Sequence, residues 1–166
     1  MGAPADVQTT DGQGGPVEDA RFVVFTLGGY EYGLPADNVD EVIRFVAVTP
    51  VPESPDWVLG VIDLRGRAIP VVDGRRRLGL PEREDWLGAA IVVVQIGGVV
   101  SGFVVDTAVD MTTVGVETLE TPPDVPSVPA VMGASPVAVS VVARVGERLI
   151  LVLDPSVANP EGDLAP

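Results

Sequence analysis

Asp63, Asp73, Asp106, Asp110 and Asp154 each end an apolar run. Two carboxylates so placed could act as the acid and base of glycoside hydrolysis, or several could collect a hard cation. At the end of a strand, however, an aspartate more simply caps the turn that follows. The rest of the catalytic inventory is thin. There is no His, the commonest general base and metal ligand. There is no Cys, hence no thiolate nucleophile, thiolate metal site or disulfide frame. All ten basic residues are Arg, so P-loop lysine and Schiff-base chemistry are absent too. No D-x-[DN]-x-[DN]-G loop is present. The reading is no catalytic residue, no metal site and no cofactor. Apolar grooves with a few charged anchors remain, which is the chemistry of a binding module.

One charged residue stands out by its setting. Arg65 lies in V-L-G-V-I-D-L-R-G-R-A-I-P-V-V-D, residues 58–73, between two apolar runs. The pattern predicts two strands meeting at a corner around Arg65-Gly66-Arg67. A planar, five-donor guanidinium at such a corner can anchor a partner, or can simply be a solvated turn residue. The later run Arg75-Arg76-Arg77 precedes Glu82, Glu84 and Asp85 and reads as a solvated turn balanced by those acids.

Several elements must position these groups. Val dominates a composition that is 46% hydrophobic, with 19 Gly and 16 Pro, which favours many short strands with tight turns. A net charge of −14 disfavours nucleic acid or an anionic membrane as partner. Residues 1–19 and 159–166 read as disordered tails around one domain at 20–158. No signal peptide is visible. Leu87–Val105 is nineteen residues without a charge, long enough to span a membrane, but Gly97-Gly98 at its centre marks a hairpin. Hairpins are also expected at Phe22–Leu34 and Val137–Leu153, with a proline-rich loop at Thr121–Pro136. In Asp37–Arg44, Val39, Val42 and Ile43 are spaced i, i+3, i+4, which predicts a short helix with Asp40 exposed.

An internal repeat organises the rest. F-V-V-F-T-L-G-G-Y-E-Y-G-L at Phe22–Leu34 matches I-V-V-V-Q-I-G-G-V-V-S-G-F at Ile91–Phe103 without a gap, and at the same offset of 69 Val39–Val42 meets Ala108–Met111. Two copies of one unit predict two small β-barrels related by a pseudo-twofold, with a groove between them.

With these motifs placed, the chain resembles the CheW-like chemotaxis coupling domain. The resemblance is carried by the Phe22–Leu34 motif, V-D-E-V at Val39–Val42, T-P-V-P at Thr49–Pro52, G-V-I-D-L-R-G-R-A-I-P-V-V-D at Gly60–Asp73, G-F-V-V-D at Gly102–Asp106 and L-I-L-V-L-D at Leu149–Asp154. It spans about Arg21 to Val157. It implies an all-β fold of two SH3-like five-stranded barrels with short connecting helices. It implies a non-enzymatic, cytoplasmic adaptor, recruited to receptor arrays at the inner membrane, that couples methyl-accepting chemoreceptors to a CheA-type histidine kinase. A coupler of a pilus or developmental array is the alternative within the family. Carried over by position, Val39, Glu41, Gly60, Arg65 and Gly66 would serve receptor binding. Gly102, Val105 and Asp106, expected on the second barrel, would serve binding of the kinase regulatory domain. The chain departs from the family pattern with Asp63 where Asn is usual, Gly74 where Leu is usual and Val141 where Gly is common.

Overall fold

The apolar runs are continuous, not alternating, because the strands that carry them are buried on both faces. In the computed structural model, which describes residues 19–115, 118–120 and 139–160, Ile91 and Val93 point into one barrel core. Ala90, Val92 and Val94 point into a second core shared with the other barrel. Of the expected tails at 1–19 and 159–166, residues 1–18 and 161–166 lie outside the described residues, as does the proline-rich loop, while Asp19 opens the first strand.

The elements are β1 (Asp19–Leu27), β2 (Tyr30–Pro35), β3 (Val39–Arg44), β4 (Val58–Leu64), β5 (Arg67–Asp73), α1 (Gly74–Arg77), β6 (Ala90–Ile96), β7 (Val99–Val105), β8 (Thr107–Gly115), β9 (Leu119–Glu120), β10 (Val139–Val145) and β11 (Arg148–Leu153). Short 3-10 turns occupy Ala36–Asn38 and Pro155–Ala158. One sheet has the order β8-β1-β2-β11-β10-β9 and the other β3-β6-β7-β5-β4. The fold is all-β, in two SH3-like barrels. The two-residue β9 adds a sixth strand to one sheet.

The 69-residue repeat is visible in the hydrogen-bond register. Val39 pairs with Val94 and Glu41 with Val93, around a bulge. Ala108 pairs with Phe25 and Asp110 with Val24, around the equivalent bulge. The later hairpins match in the same way: Val58–Val72 and Gly60–Val71 correspond to Val139–Leu153 and Val141–Val152. The two copies are intertwined. The first hairpin, β1–β2, completes the sheet of β8, β10 and β11, while β6–β7 completes the sheet of β3, β4 and β5.

This exchange corrects one expectation. Gly102 and Val105 lie on β7, and Asp106 follows it, so all three belong to the sheet that carries Arg65. Sequence order assigned them to the other barrel because it could not show the exchanged hairpin. A second correction concerns Asp37–Arg44, which is a 3-10 turn followed by strand β3. Val42 is exposed, while Val39 and Ile43 pack against different cores. The bulge at Asp40 shifts the alternation by one residue, and that shift imitates helical spacing.

Three clusters fill the interior. Ile62, Ile69, Val71, Ile91, Val93 and Val104 fill one barrel; Phe22, Val24, Val114, Ala143, Ile150 and Val152 fill the other. Between them, Phe25, Leu27, Tyr32 and Leu34 meet Val92, Val94, Phe103 and Val105. Phe25 sits 6.0 Å from Phe103, edge to face. The C-terminal turn is pinned to this core. Ser101 Oγ donates to Ala158 O at 2.6 Å, and Trp57 Nε1 donates to Pro160 O at 3.2 Å.

Tyr32 is fully buried and, among the described residues, its hydroxyl has no hydrogen-bond partner. Burial, with a smaller push from Tyr30, raises its pKa to about 12. An unpaired buried hydroxyl carries a desolvation penalty of about 1–3 kcal/mol. Tyr32→Phe is therefore expected to raise the melting temperature. A lower one would show that the hydroxyl is satisfied in solution.

Candidate functional site

A charged clasp and a charged node stand near opposite ends of the β3-β6-β7-β5-β4 sheet. At one end, the β4–β5 turn puts Arg65 at φ +50°, a left-handed conformation that non-glycine residues seldom adopt. Gly66 follows at φ +84°, and its N–H donates to Asp63 Oδ1 at 2.9 Å. The carboxylate of Asp63 thus closes the turn as an acceptor, a role an Asn oxygen would also fill. The Arg65 guanidinium grips Glu41 of β3 with two hydrogen bonds, one of them Nη1 to Oε1 at 3.3 Å. The hydrogen bond from Arg65 holds the Glu41 carboxyl below its usual range. β3 and β4 are the two edges of this sheet, so the pair clasps the barrel across its open seam.

Beside the clasp is an open groove of about 320 Å³. Leu64, Ile69, Val93 and Val100 contribute its apolar surface, and Asp40, Glu41, Arg65 and Arg67 its charged surface. All eight residues belong to one barrel, so this groove lies at a barrel mouth.

The other residues expected to serve receptor binding are placed differently. Val39 packs against the shared core. Gly60, at φ +146°, lies under the returning chain: a Cβ there would come within 2.0 Å of Thr49 O. Thr49 and Val61 exchange two backbone hydrogen bonds of 2.9 Å over this spot. The structure therefore brings Glu41, Arg65 and Gly66 together, while Val39 and Gly60 shape the scaffold beneath. Val141, at the position equivalent to Gly60, packs against the other barrel core.

At the far end of β7, Asp106 is the centre of a node. Arg75 Nε and Nη2 donate to its two carboxylate oxygens at 2.9 and 2.6 Å, the Gly28 N–H donates at 2.9 Å, and Arg83 Nη1 lies 3.3 Å away. Asp106 thereby ties the β1–β2 turn of one sheet to α1 and the loop after it. Gly102 and Val105 are buried. A Cβ on Gly102 would come within 2.6 Å of Ile91 Cγ2.

The arginine run is correspondingly less solvated than expected. Arg75 is spent on Asp106, Arg76 pairs with Glu82 at 3.2 Å, and Arg77 is buried with its guanidinium 4.5 Å from the Trp57 ring centre. Periodicity carried no signal for this, because α1 is a single turn. Its onset is firm: Asp73 Oδ1 accepts from Arg75 N at 3.0 Å. Gly74 is required there, since a Cβ would come within 2.5 Å of Val104 O.

Asp154 caps a turn: its Oδ1 accepts from Ser156 N at 2.9 Å. Asp110, expected to end a strand, lies inside β8, where its Oδ1 accepts from Thr112 Oγ1 at 3.1 Å. Among the described residues no cluster of three or more carboxylates could hold a metal ion. No helix in them is long and apolar enough to cross a membrane.

The node has a pH signature. Burial alone would raise the Asp106 pKa, but the hydrogen bonds from Arg75 and Gly28 hold it below the usual range. A folded value below the unfolded one, about 3.9, adds stability at higher pH that is lost as pH falls through the folded value. Asp73 runs the other way: burial raises its pKa, so its ionisation costs stability as pH rises through that window. Asp106→Asn is expected to lower stability at pH 7 and flatten the loss toward pH 3. Parallel melting profiles for the two proteins would contradict this.

Comparisons with known proteins agree with the geometry. The family model described as the CheW-like domain matches residues 21–158. The chemotaxis protein CheW of Bacillus subtilis is 30% identical over 134 residues, covering 81% of this chain and 83% of that protein. Protein FrzA of Myxococcus xanthus is 32% identical over 105 residues, 63% of this chain and 66% of that protein. The crystal structure of the scaffolding protein TtCheW from Thermoanaerobacter tengcongensis superposes with a TM-score of 0.73 at 30% identity, covering 82% of this chain and 90% of that one. The intertwined barrels, the L-R-G turn and a family match over nearly all the described residues lead to one conclusion: the chain belongs to the CheW-like family of chemotaxis coupling proteins.

Proposed function

We propose that the chain is a non-enzymatic adaptor in the cytoplasm that joins the signalling tip of a methyl-accepting chemoreceptor to the regulatory domain of a CheA-type histidine kinase. The observation that carries this reading is the separation of two charged sites on one rigid sheet. Arg65 precedes the first residue of β5, and Asp73, the last, pairs with Val104 beside Asp106. Seven strand residues at about 3.3 Å each put roughly 20 Å between the sites. Two partners can therefore be held at once, and a transition in one can bias the other only through differential binding.

In this reading Glu41, Arg65 and Gly66 present the receptor contact, with Val39 and Gly60 shaping it. Asp106 belongs to the kinase side, and Gly102 and Val105 act there from the interior. A pull-down with the cognate kinase's regulatory domain tests the proposal. Retention of the chain supports it, and failure to retain it contradicts it. The second reading, a coupler of a pilus or developmental array, draws on the similarity to Protein FrzA. Whether the neighbouring genes encode a flagellar or a pilus system separates the two.

A further inference from the structure

Leu87 is 87% exposed, more than any other large apolar residue described. A single exposed leucine is ordinary; the fixed loop beneath this one is not. The Leu87 N–H donates to Asp85 Oδ1 at 2.8 Å, and Arg83 Nε donates to Asp85 O at 2.8 Å. Arg83 also reaches Asp106, and its guanidinium lies 4.9 Å from the Trp86 ring centre. Trp86 stacks parallel on Phe45 at 4.4 Å, yet remains 37% exposed; Val46, next along the chain, is 44% exposed. An apolar group held in place before binding loses little entropy when it docks.

The charge around it narrows the partner. Glu84 and Asp85 share a hollow with Leu87; Glu82, also there, is paired with Arg76, and the two arginines of the hollow, Arg75 and Arg83, are spent on Asp106. A second copy would bring the same acids and the same −14 charge, so self-association is disfavoured. The complementary surface is an apolar pocket edged with Arg or Lys.

We propose that Leu87, supported by Trp86, is the apolar anchor by which the chain docks a basic-edged pocket on the kinase's regulatory domain. This deepens the adaptor reading and rests on it. The test titrates the cognate kinase's regulatory domain, and separately the receptor tip, against the wild-type chain, Leu87→Ser and Glu84→Arg. Leu87→Ser should weaken kinase-domain binding tenfold or more, with the melting temperature and receptor binding unchanged. Glu84→Arg should slow association and flatten its salt dependence. Kinase-domain binding by Leu87→Ser within twofold of wild type would overturn the proposal, as would equal losses for both partners. A wild-type chain that dimerises through Leu87 would also overturn it. A wild-type chain that binds no kinase domain would overturn the adaptor reading itself, and this anchor with it.

Discussion

Arg65→Ala is expected to weaken binding of the receptor tip by roughly thirtyfold, the range of a truncated interface arginine, while kinase-domain binding changes less than twofold. The side chain is 71% exposed beside a groove with apolar walls, so its removal opens no cavity. Its partner Glu41 is near the surface and can be hydrated once released, so the fold should persist. The backbone adds a second signature. Arg65 holds φ +50° where glycine would sit without strain. Arg65→Gly should therefore melt above Arg65→Ala, yet bind receptor as poorly. Arg65→Lys should rescue little, because a point charge cannot copy the two-pronged grip on a carboxylate. Receptor binding unchanged in Arg65→Ala would return this residue to an ornament of the turn. Equal losses for receptor and kinase would point to misfolding.

Gly60→Ala is expected to be the most damaging single-methyl change among the residues proposed for the receptor side. The added Cβ would meet Thr49 O at 2.0 Å and Pro50 Cα at 2.9 Å. Both atoms are backbone and cannot swing aside. With φ at +146° the new side chain is strained even before the clash. Together these should cost about 3 kcal/mol or more, which lowers the melting temperature by roughly 10 °C in a chain of this size. Gly66→Ala provides the comparison. It shares a positive φ, but its Cβ would meet nothing within 4 Å, so only the smaller conformational penalty remains. Equal melting of the two variants would show that the Thr49 crossing yields easily.

The fold was legible in the sequence wherever both faces of a strand are buried. The β-branched runs at Phe22–Leu27 and Ile91–Val94 read as interior strands because the Gly28-Gly29 and Gly97-Gly98 turns cut them to strand length and fixed their partners. The exchange of hairpins between barrels was not legible, because a repeat specifies units and not how they interlock. β3 was misread because its bulge at Asp40 resets the alternation, and because an edge strand with one exposed face lacks a continuous apolar run. Of the candidate site, Arg65 at its corner could be picked out from the residues alone. Its clasp to Glu41 is 24 residues distant in the chain and has no local signature. The Asp106 node was hidden for the same reason: its donors come from Gly28, Arg75 and Arg83. Net charge balance had suggested that the arginine run was solvated, but a count of charges says nothing about which carboxylate a guanidinium can reach.

The central claim is that one rigid chain holds two partners at separate sites. It is tested most directly by immobilising the receptor signalling tip and measuring capture of the kinase regulatory domain as the chain is added. The account predicts that capture rises with the wild-type chain and falls back toward its starting level with Arg65→Ala, although that variant still binds the kinase domain in solution. Competition between receptor tip and kinase domain for the chain, or capture undiminished by Arg65→Ala, would contradict it.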